Sequence, residues 1–528
     1  MLLAGATFLS QHKQEINSLN VFPVPDGDTG TNMNLTMESA AREMAKKPMT
    51  SVPEVADALS MGSLMGARGN SGVILSQIFR GFAKKIAAEN ELTVGIFADA
   101  LQEGVNTAYK AVIKPVEGTI LTVAKEAARA AAKSAKESKD LNTMLHDVLR
   151  QALNTLEQTP DMLPVLKQAG VVDAGGKGLC YIYEGWLSYL EGKAVDIEVI
   201  KPVAQPVVVE PAQDIDLEFQ YCTEFIVTGD ELSEDLFRRE LDSLGDSLLV
   251  VGTSGLLKIH IHTNNPGQAL EFALKHGTEL QDIKIENMRL QHTEFERGTE
   301  MQPAAPAAER KPIGVIAVAS GSGLEEIFRS MGVDTVIVGG QTMNPSTEDF
   351  LRAIDNLAAE QIIILPNNSN IILAASQAKD VADRPVAVIP TKTIPQGLAA
   401  MLSYVEDAEL ASLETEMTEA SKAVKSGQIT FAVRDSVFDG KPIAEGNILG
   451  IADGKIAVVG EDVAQTALSL LKELVDDEAE IITLFYGEDV KSEAAQELSV
   501  AVAAEFPDQE VELHAGGQPL YFYIIAVE

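Results

Sequence analysis

Residues Asn20-Val21-Phe22-Pro23-Val24-Pro25-Asp26-Gly27-Asp28-Thr29-Gly30-Thr31-Asn32-Met33 hold the densest chemistry in this chain. Pro23 and Pro25 fix an extended entry, and Gly27 lets the backbone turn sharply. Asp26 and Asp28 then stand as adjacent hard oxygen donors, a pair that suits Mg²⁺ with water and substrate phosphates in its other positions. Thr29-Gly30-Thr31-Asn32 opens a helical pattern, and the free N–H groups and dipole of a helix N-terminus can receive phosphate oxygens. The plain alternative is an Asp-Gly turn capping a helix.

Outward from this stretch, residues 36–194 read as helical almost throughout, with Ala-rich amphipathic runs such as Thr122 to Lys139 and no alternating strand pattern. An all-α first domain is therefore expected over residues 1–194. A second glycine-rich turn, Gly62-Ser63-Leu64-Met65-Gly66-Ala67-Arg68-Gly69-Asn70-Ser71-Gly72, precedes the apolar helix from Val73 to Phe82. It lacks a Gly-Lys-Ser/Thr ending and follows no strand, so it is not a Walker loop. Either it presents backbone amides and a hydroxyl, foremost Ser71, to nucleotide phosphates, or it is simply a helix–helix connection. Glu117-Gly118-Thr119 and Val172-Asp173-Ala174-Gly175-Gly176-Lys177-Gly178 are two further turns between helices. Four glycine-bearing loops in one helical domain point to a shared rim.

A Pro/Val-rich segment from Lys201 to Pro211 breaks periodicity and reads as a linker. Strand patterns at 218–227 and 256–262, with helical segments near 231–244 and 267–277, define an α+β middle domain over 213–298. A second linker, small residues and prolines, covers 301–308. From Ile313 onward, short apolar strands (313–318, 335–338, 361–365, 386–389) alternate with helices, as βαβ units do. Strands return near 429–434, 456–459, 481–485 and 510–526. The expected architecture is thus multidomain, ending in an α/β domain over 312–528.

Composition narrows the functional classes. The chain has 528 residues, 41 Lys+Arg against 78 Asp+Glu and a net charge of −37, which excludes a protein that coats nucleic acid through a basic face. The charge is uneven: residues 1–194 carry 19 basic and 21 acidic side chains, 195–310 carry 9 and 22, and 311–528 carry 13 and 35. A near-neutral first domain suits a site that admits a polyanionic nucleotide. The acidic excess of the rest either solvates the surface or steers a basic partner. No apolar run approaches the roughly 18 residues of a membrane span. Met1 to Ala6 lacks the basic region of a secretory signal. With only Cys180 and Cys222, a reducing cytoplasm is the expected location. Cys180, in an apolar helical stretch, reads as core.

The string from Asn20 to Met33, with Gly69-Asn70-Ser71-Gly72 and Asp173-Ala174-Gly175, resembles the nucleotide-binding (DhaL-like) subunit of dihydroxyacetone kinases. The resemblance implies an eight-helix barrel holding ADP or ATP and two Mg²⁺ ions at one end. Three aspartates bind metal in that family: here Asp26 and Asp28 match a pair of them, and Asn20 stands where the first Asp is expected, with one extra residue in the gap. By the same matching, Thr29, Gly30, Thr31, Asn32, Asn70, Ser71, Gly118, Asp173, Ala174 and Gly175 correspond to nucleotide contacts. Over its whole length the chain resembles the kinase subunit of bacterial fatty acid kinase, through Ile259 to Gly267, Gly339 to Thr347, Leu365 to Asn368 and Gly516 to Pro519. That resemblance implies transfer of the ATP γ-phosphoryl group to the carboxylate of a fatty acid presented by a separate carrier protein, by a kinase that is a homodimer. A kinase for a small hydroxyl substrate and a nucleotide-sensing regulator are the rival readings.

His260 and His262 alternate on an expected strand, and Cys222 falls on another strand of the same domain. Two imidazoles and a thiolate form a three-ligand set for Zn²⁺; the alternative is a histidine pair beside an unconnected cysteine. The resemblance favours zinc, because the related middle domain carries a Cys-His-His site. Ala319-Ser320-Gly321-Ser322-Gly323 ends a strand and opens a helix, which is either a ligand position or a tight connection.

Overall fold

The computed structural model describes residues 1–21, 27–112, 114–137, 140–193, 221–229, 232–241, 244–253, 256–287, 310–340, 344–406, 408–432, 436–438 and 441–528; the side chains of Cys222, His260 and His262 lie outside the description. The expected linkers at 201–211 and 301–308 also lie outside it. Among the described residues, α-helices run α1 (Leu2–Gln11), α2 (Lys13–Ser18), α3 (Thr29–Ala45), α4 (Val52–Met65), α5 (Gly69–Ile86), α6 (Val94–Ala111), α7 (Ile120–Glu137), α8 (Leu141–Glu157), α9 (Thr159–Met162), α10 (Pro164–Ala169) and α11 (Ala174–Leu190). The helical reading of the first domain holds among its described residues.

Side-chain caps start several of these helices. Ser51 accepts from the Glu54 N–H, Thr93 from Ile96, Asp140 from Thr143 and Asp173 from Gly176, each satisfying a donor that the first turn cannot. From α3 to α8 each helix packs on the next, and α11 packs against both α8 and α1. Trp186 on α11 is 1% exposed. Its ring centroid lies 5.4 Å from Tyr183, 5.8 Å from Phe97 and 6.1 Å from Phe82. Rings of this size bury about 1.5–3 kcal/mol of transfer free energy each, so the aromatic cluster anchors the core. Gly5 permits this packing, since a Cβ there would stand 2.6 Å from the Trp186 Nε1. Cys180 is buried among the same helices, and burial pushes its thiol up to about 12, as a core residue requires.

Two compact units divide the chain, one comprising 1–203 and 309–528, the other 204–308. The second unit contains β1 (Tyr221–Thr228), α12 (Glu234–Leu241), β2 (Gly245–Thr253), β3 (Leu256–Thr263), α13 (Pro266–His276) and β4 (Glu279–Asn287). Its antiparallel sheet has the order β2-β3-β1-β4, the arrangement of a split βαβ motif. Phe225, Phe237, Val250, Leu257, Ile259 and Ile261 form its core.

In the first unit, β5 (Lys311–Ala319), α14 (Ser322–Ser330), β6 (Thr335–Val338), α15 (Thr347–Asn356), β7 (Ala359–Leu365), α16 (Ile372–Val381) and β8 (Val386–Val388) build a parallel sheet of order β6-β5-β7-β8. Residues 313–319 of β5 are all buried, as expected of a strand covered on both faces. After α17 (Ile394–Leu402) and α18 (Leu410–Ala423) comes a six-stranded sheet. It is built from β9 (Lys425–Phe431), β12 (Ile448–Ala452), β13 (Lys455–Gly460), β14 (Ile481–Tyr486), β15 (Glu510–Ala515) and β16 (Tyr523–Val527), with α19 (Val463–Leu474) and α20 (Ser492–Glu505) between its strands. The short pair β10 (Ser436–Phe438) and β11 (Lys441–Ile443) stands apart from it. Only β14 and β15 of the larger sheet run parallel. The strand region expected at 510–526 is therefore two strands. Gly517, at φ +65°, lies in the Gly516-Gly517-Gln518-Pro519 turn that separates them.

Candidate nucleotide site

Each of the four glycine-bearing loops ends at a helix N-terminus, those of α3, α5, α7 and α11. The first two meet. The Thr29 hydroxyl donates to the Asn20 Oδ1, and the Ser71 hydroxyl donates to Thr29 Oγ1 at 3.4 Å. Asn20 is 2% exposed and Thr29 4%. Gly69, at φ +56°, leaves room for Asn32, because a Cβ at 69 would stand 2.4 Å from Asn32 Nδ2. Asn20, Asp28, Thr29, Asn32, Asn70 and Ser71 thus gather where α3 and α5 begin. Asp26 lies outside the described residues.

Thr31, matched above to a nucleotide contact, pairs with α2 at the start of α3. Its N–H donates to Asn17 Oδ1 at 3.1 Å, and its hydroxyl accepts from Asn17 Nδ2 at 3.0 Å. The Asn32 N–H returns to the Asp28 carbonyl at 2.9 Å. Gly30 is required by packing, since a Cβ there would come 2.2 Å from the Lys13 carbonyl. Asn17 on α2 therefore locks the start of α3, a role its surrounding sequence does not advertise.

The other two loops meet each other. Asp173 is 6% exposed, and its Oδ2 accepts the Gly176 N–H at 2.7 Å. The Ile120 N–H also reaches its carboxyl. Burial outweighs both donors and pushes this carboxyl up to about 6. Gly118 adopts φ +84°, and its N–H donates to Thr122 Oγ1 at 2.8 Å. Ala174 and Gly175 are buried at the start of α11, Gly175 facing Ile120. The structure so forms two clusters: Asn20 through Ser71, and Gly118 with Asp173, Ala174 and Gly175. Helices α3 and α11 connect them, with Gly178 against Met33.

The C-terminal segment reaches the first cluster. Asn344 Nδ2 donates to Asp28 Oδ2 at 2.6 Å. Arg68 Nη1 donates to the Asn344 carbonyl at 2.9 Å and lies 3.4 Å from Asp349. Asn70 Nδ2 donates to Asn370 Oδ1 at 2.8 Å, and the Thr347 N–H to the Ala67 carbonyl at 3.2 Å. Ala67 and Val73 join the apolar cluster of Phe350, Ile354, Ile371 and Ala374. Sequence reading missed Arg68, Asn344 and Asn370, whose partners lie about 300 positions away.

As for a cation, Asp28, Asn20 and Thr29 offer carboxylate, amide and hydroxyl oxygens at one place, and this all-oxygen set fits Mg²⁺. In the middle unit, backbone register sets Cys222 opposite His262, with His260 opposite Glu224 two positions on. Among the described residues no group of three or more His, Cys, Asp or Glu forms a metal-binding cluster. The Ser320 turn is a tight connection: the Leu324 N–H donates to the Gly516 carbonyl at 3.1 Å, and a Cβ at Gly323 would stand 1.7 Å from the Ala515 carbonyl. A small cavity beside it is lined by Ser320, Asn367, Asn368, Gln518 and Tyr521.

Residues 23–188 match the DAK2 domain model, 218–295 the FakA-like middle domain of fatty acid kinase and 314–528 the FakA-like C-terminal domain. Protein YloV of Bacillus subtilis is 48% identical over 100% of this chain and 98% of its own. The chain belongs to the FakA-like family of fatty acid kinase proteins. An uncharacterized protein of Staphylococcus aureus, SAR1202, is 43% identical over 100% of this chain and 98% of its own. The dihydroxyacetone kinase of C. freundii, solved with AMP-PNP and Mg²⁺, is 19% identical with a TM-score of 0.28, covering 36% of this chain and 33% of that one. Membership brings a kinase-type domain to the N-terminal helices. No helix among the described residues is long and apolar enough to cross a membrane.

Proposed function

We propose that this protein is the kinase subunit of a fatty acid kinase, transferring the γ-phosphoryl group of ATP to the carboxylate of a fatty acid held by a separate carrier protein. What carries this reading is the gathering of Asn20, Asp28, Thr29 and Ser71 at adjoining helix N-termini in a DAK2-type domain. Thr29, Gly30, Asn70 and Ser71 hold phosphate oxygens there, and the second cluster, Gly118 with Asp173, Ala174 and Gly175, receives the rest of the nucleotide. Mg²⁺, bound through Asp26, Asp28 and Asn20, would offset charge on the phosphates. An ionised carboxylate needs no general base, so the residues' work is to position and neutralise. A carboxylate oxygen bonds to the γ-phosphorus as its bond to the β–γ bridging oxygen breaks, giving acyl phosphate and ADP.

The middle domain would hold zinc through Cys222, His260 and His262, as their cross-strand register supports. Metal analysis of purified protein tests it: near-stoichiometric zinc lost on Cys222→Ala or His260→Ala is expected, and metal-free wild-type protein contradicts it. Domains 1–194, 213–298 and 312–528 would divide nucleotide binding, zinc binding and carrier docking in a cytoplasmic homodimer. ADP release measured with ATP, Mg²⁺, oleate and candidate carriers, with dihydroxyacetone in parallel, tests the activity. Carrier-dependent turnover on oleate supports it. Turnover on dihydroxyacetone without a carrier favours the small-substrate kinase, and nucleotide binding without turnover favours a sensor.

A further inference from the structure

Asn344 is 2% exposed, and its backbone and the residues that follow it are anchored. Arg68 grips its carbonyl, the Thr347 N–H three residues on is tied to Ala67, and Ser346 caps α15 through a capping box with Asp349. Its amide is therefore a fixed donor, and that donor is spent on Asp28 Oδ2 at 2.6 Å. A hydrogen bond to one carboxylate oxygen sets the plane of the carboxylate, and partners of this kind orient ligating groups at metal sites. The donor's chemistry suits the task. A Lys or Arg at 344 would bring a positive charge that opposes a cation at Asp28, whereas a neutral amide orients the carboxylate without that repulsion. Asn344 Oδ1 is buried without a hydrogen-bond partner among the described residues. Mg²⁺ keeps several of its waters, and such a water is the kind of donor this acceptor lacks.

We propose that Asn344 is a positioning residue for the Asp28 carboxylate, so that cation–nucleotide binding and the seating of residues 344–347 on the α4–α5 loop strengthen each other. The inference rests on the reading of Asp28 as a cation ligand. Coupling of this sort is reciprocal: whatever the contact adds to cation affinity, the cation returns to the contact.

Titration calorimetry of ADP into the full chain over a series of Mg²⁺ concentrations tests it. Asn344→Ala is expected to raise the Mg²⁺ needed for half-maximal ADP binding roughly 10–100-fold, with Mg²⁺-free ADP affinity unchanged. Asp28→Ala is expected to abolish the Mg²⁺ dependence. An unchanged or lowered requirement in Asn344→Ala, with Asp28→Ala still impaired, overturns the role of Asn344 and leaves that of Asp28 standing. An unimpaired Asp28→Ala overturns both. Hydrogen exchange on the wild-type chain needs no variant to fold: Mg²⁺ with ADP is expected to slow exchange of the Thr347 amide, and ADP alone to leave it unchanged. Faster exchange with Mg²⁺ and ADP would show that the contact opposes the cation.

Discussion

Gln377 Nε2 donates to Ser76 Oγ at 3.0 Å, and Gln377 Oε1 accepts from Thr347 Oγ1 at the same distance. All three side chains are buried, Ser76 and Thr347 completely and Gln377 to 6% exposure. One amide thus ties α5 of the N-terminal helices to α15 and α16 of the C-terminal segment. Burying polar groups is tolerable only when they are paired; the Ser76 hydroxyl also donates to the Val73 carbonyl at 2.8 Å, and Gln377 supplies the bonds that join the two segments.

Gln377→Ala removes the acceptor of Thr347 and the donor to Ser76. A loss of about 1–3 kcal/mol in unfolding free energy is expected, read by urea denaturation of the full chain. Gln377→Glu should cost at least as much, because burying a carboxylate there outweighs the acceptor it keeps for Thr347.

Gly69→Ala forces a side chain onto a backbone at φ +56° and places its Cβ 2.4 Å from Asn32 Nδ2. The left-handed conformation alone costs roughly 1–2 kcal/mol, and Asn32 must move as well. The variant is expected to melt earlier and to bind ADP more weakly. A control, Gly95→Ala on α6, meets no atom from the rest of the chain within 4 Å; it should leave ADP binding unchanged and not lower the melting temperature.

Asp173 has its carboxyl pushed up to about 6 by burial, from 3.8. Between those values the folded chain binds more protons than the unfolded one. The stability this group contributes is therefore complete below about pH 4 and lost as pH rises to about 6. Asp173→Asn keeps a cap on the Gly176 N–H without a buried charge. It is expected to exceed wild type in stability at pH 7 by on the order of 2–3 kcal/mol, with the difference shrinking towards pH 4. Weaker ADP binding is expected alongside, as at sites where charge is retained for function. A stability difference independent of pH contradicts the assignment.

What the sequence made legible was local. The first-domain helices announce themselves by amphipathic runs such as Thr122 to Lys139, a signal that spans only a few turns, whereas their caps at Ser51, Thr93 and Asp140 were not read from the sequence. The strands of the parallel sheet were legible for the same reason, as short apolar runs between helices. β2 and β4 of the middle unit escaped because Gly245, Asp246, Gln281 and Asp282 interrupt the alternation that β1 and β3 keep. At the candidate site, glycines and aspartates marked the loops but not their use. The Cα of Gly30 and the side chain of Thr31 also pack on α2, and Asn344 reaches Asp28 from 316 positions away. Such pairings arise from tertiary folding and leave no periodic signal.

The central claim is that the product is an acyl phosphate, and hydroxylamine trapping reads that product directly. With ATP, Mg²⁺, oleate and its carrier, the wild-type chain is expected to form oleoyl hydroxamate in step with ADP, and Asp28→Ala to form none. ADP released without hydroxamate, or hydroxamate undiminished in Asp28→Ala, would contradict the account.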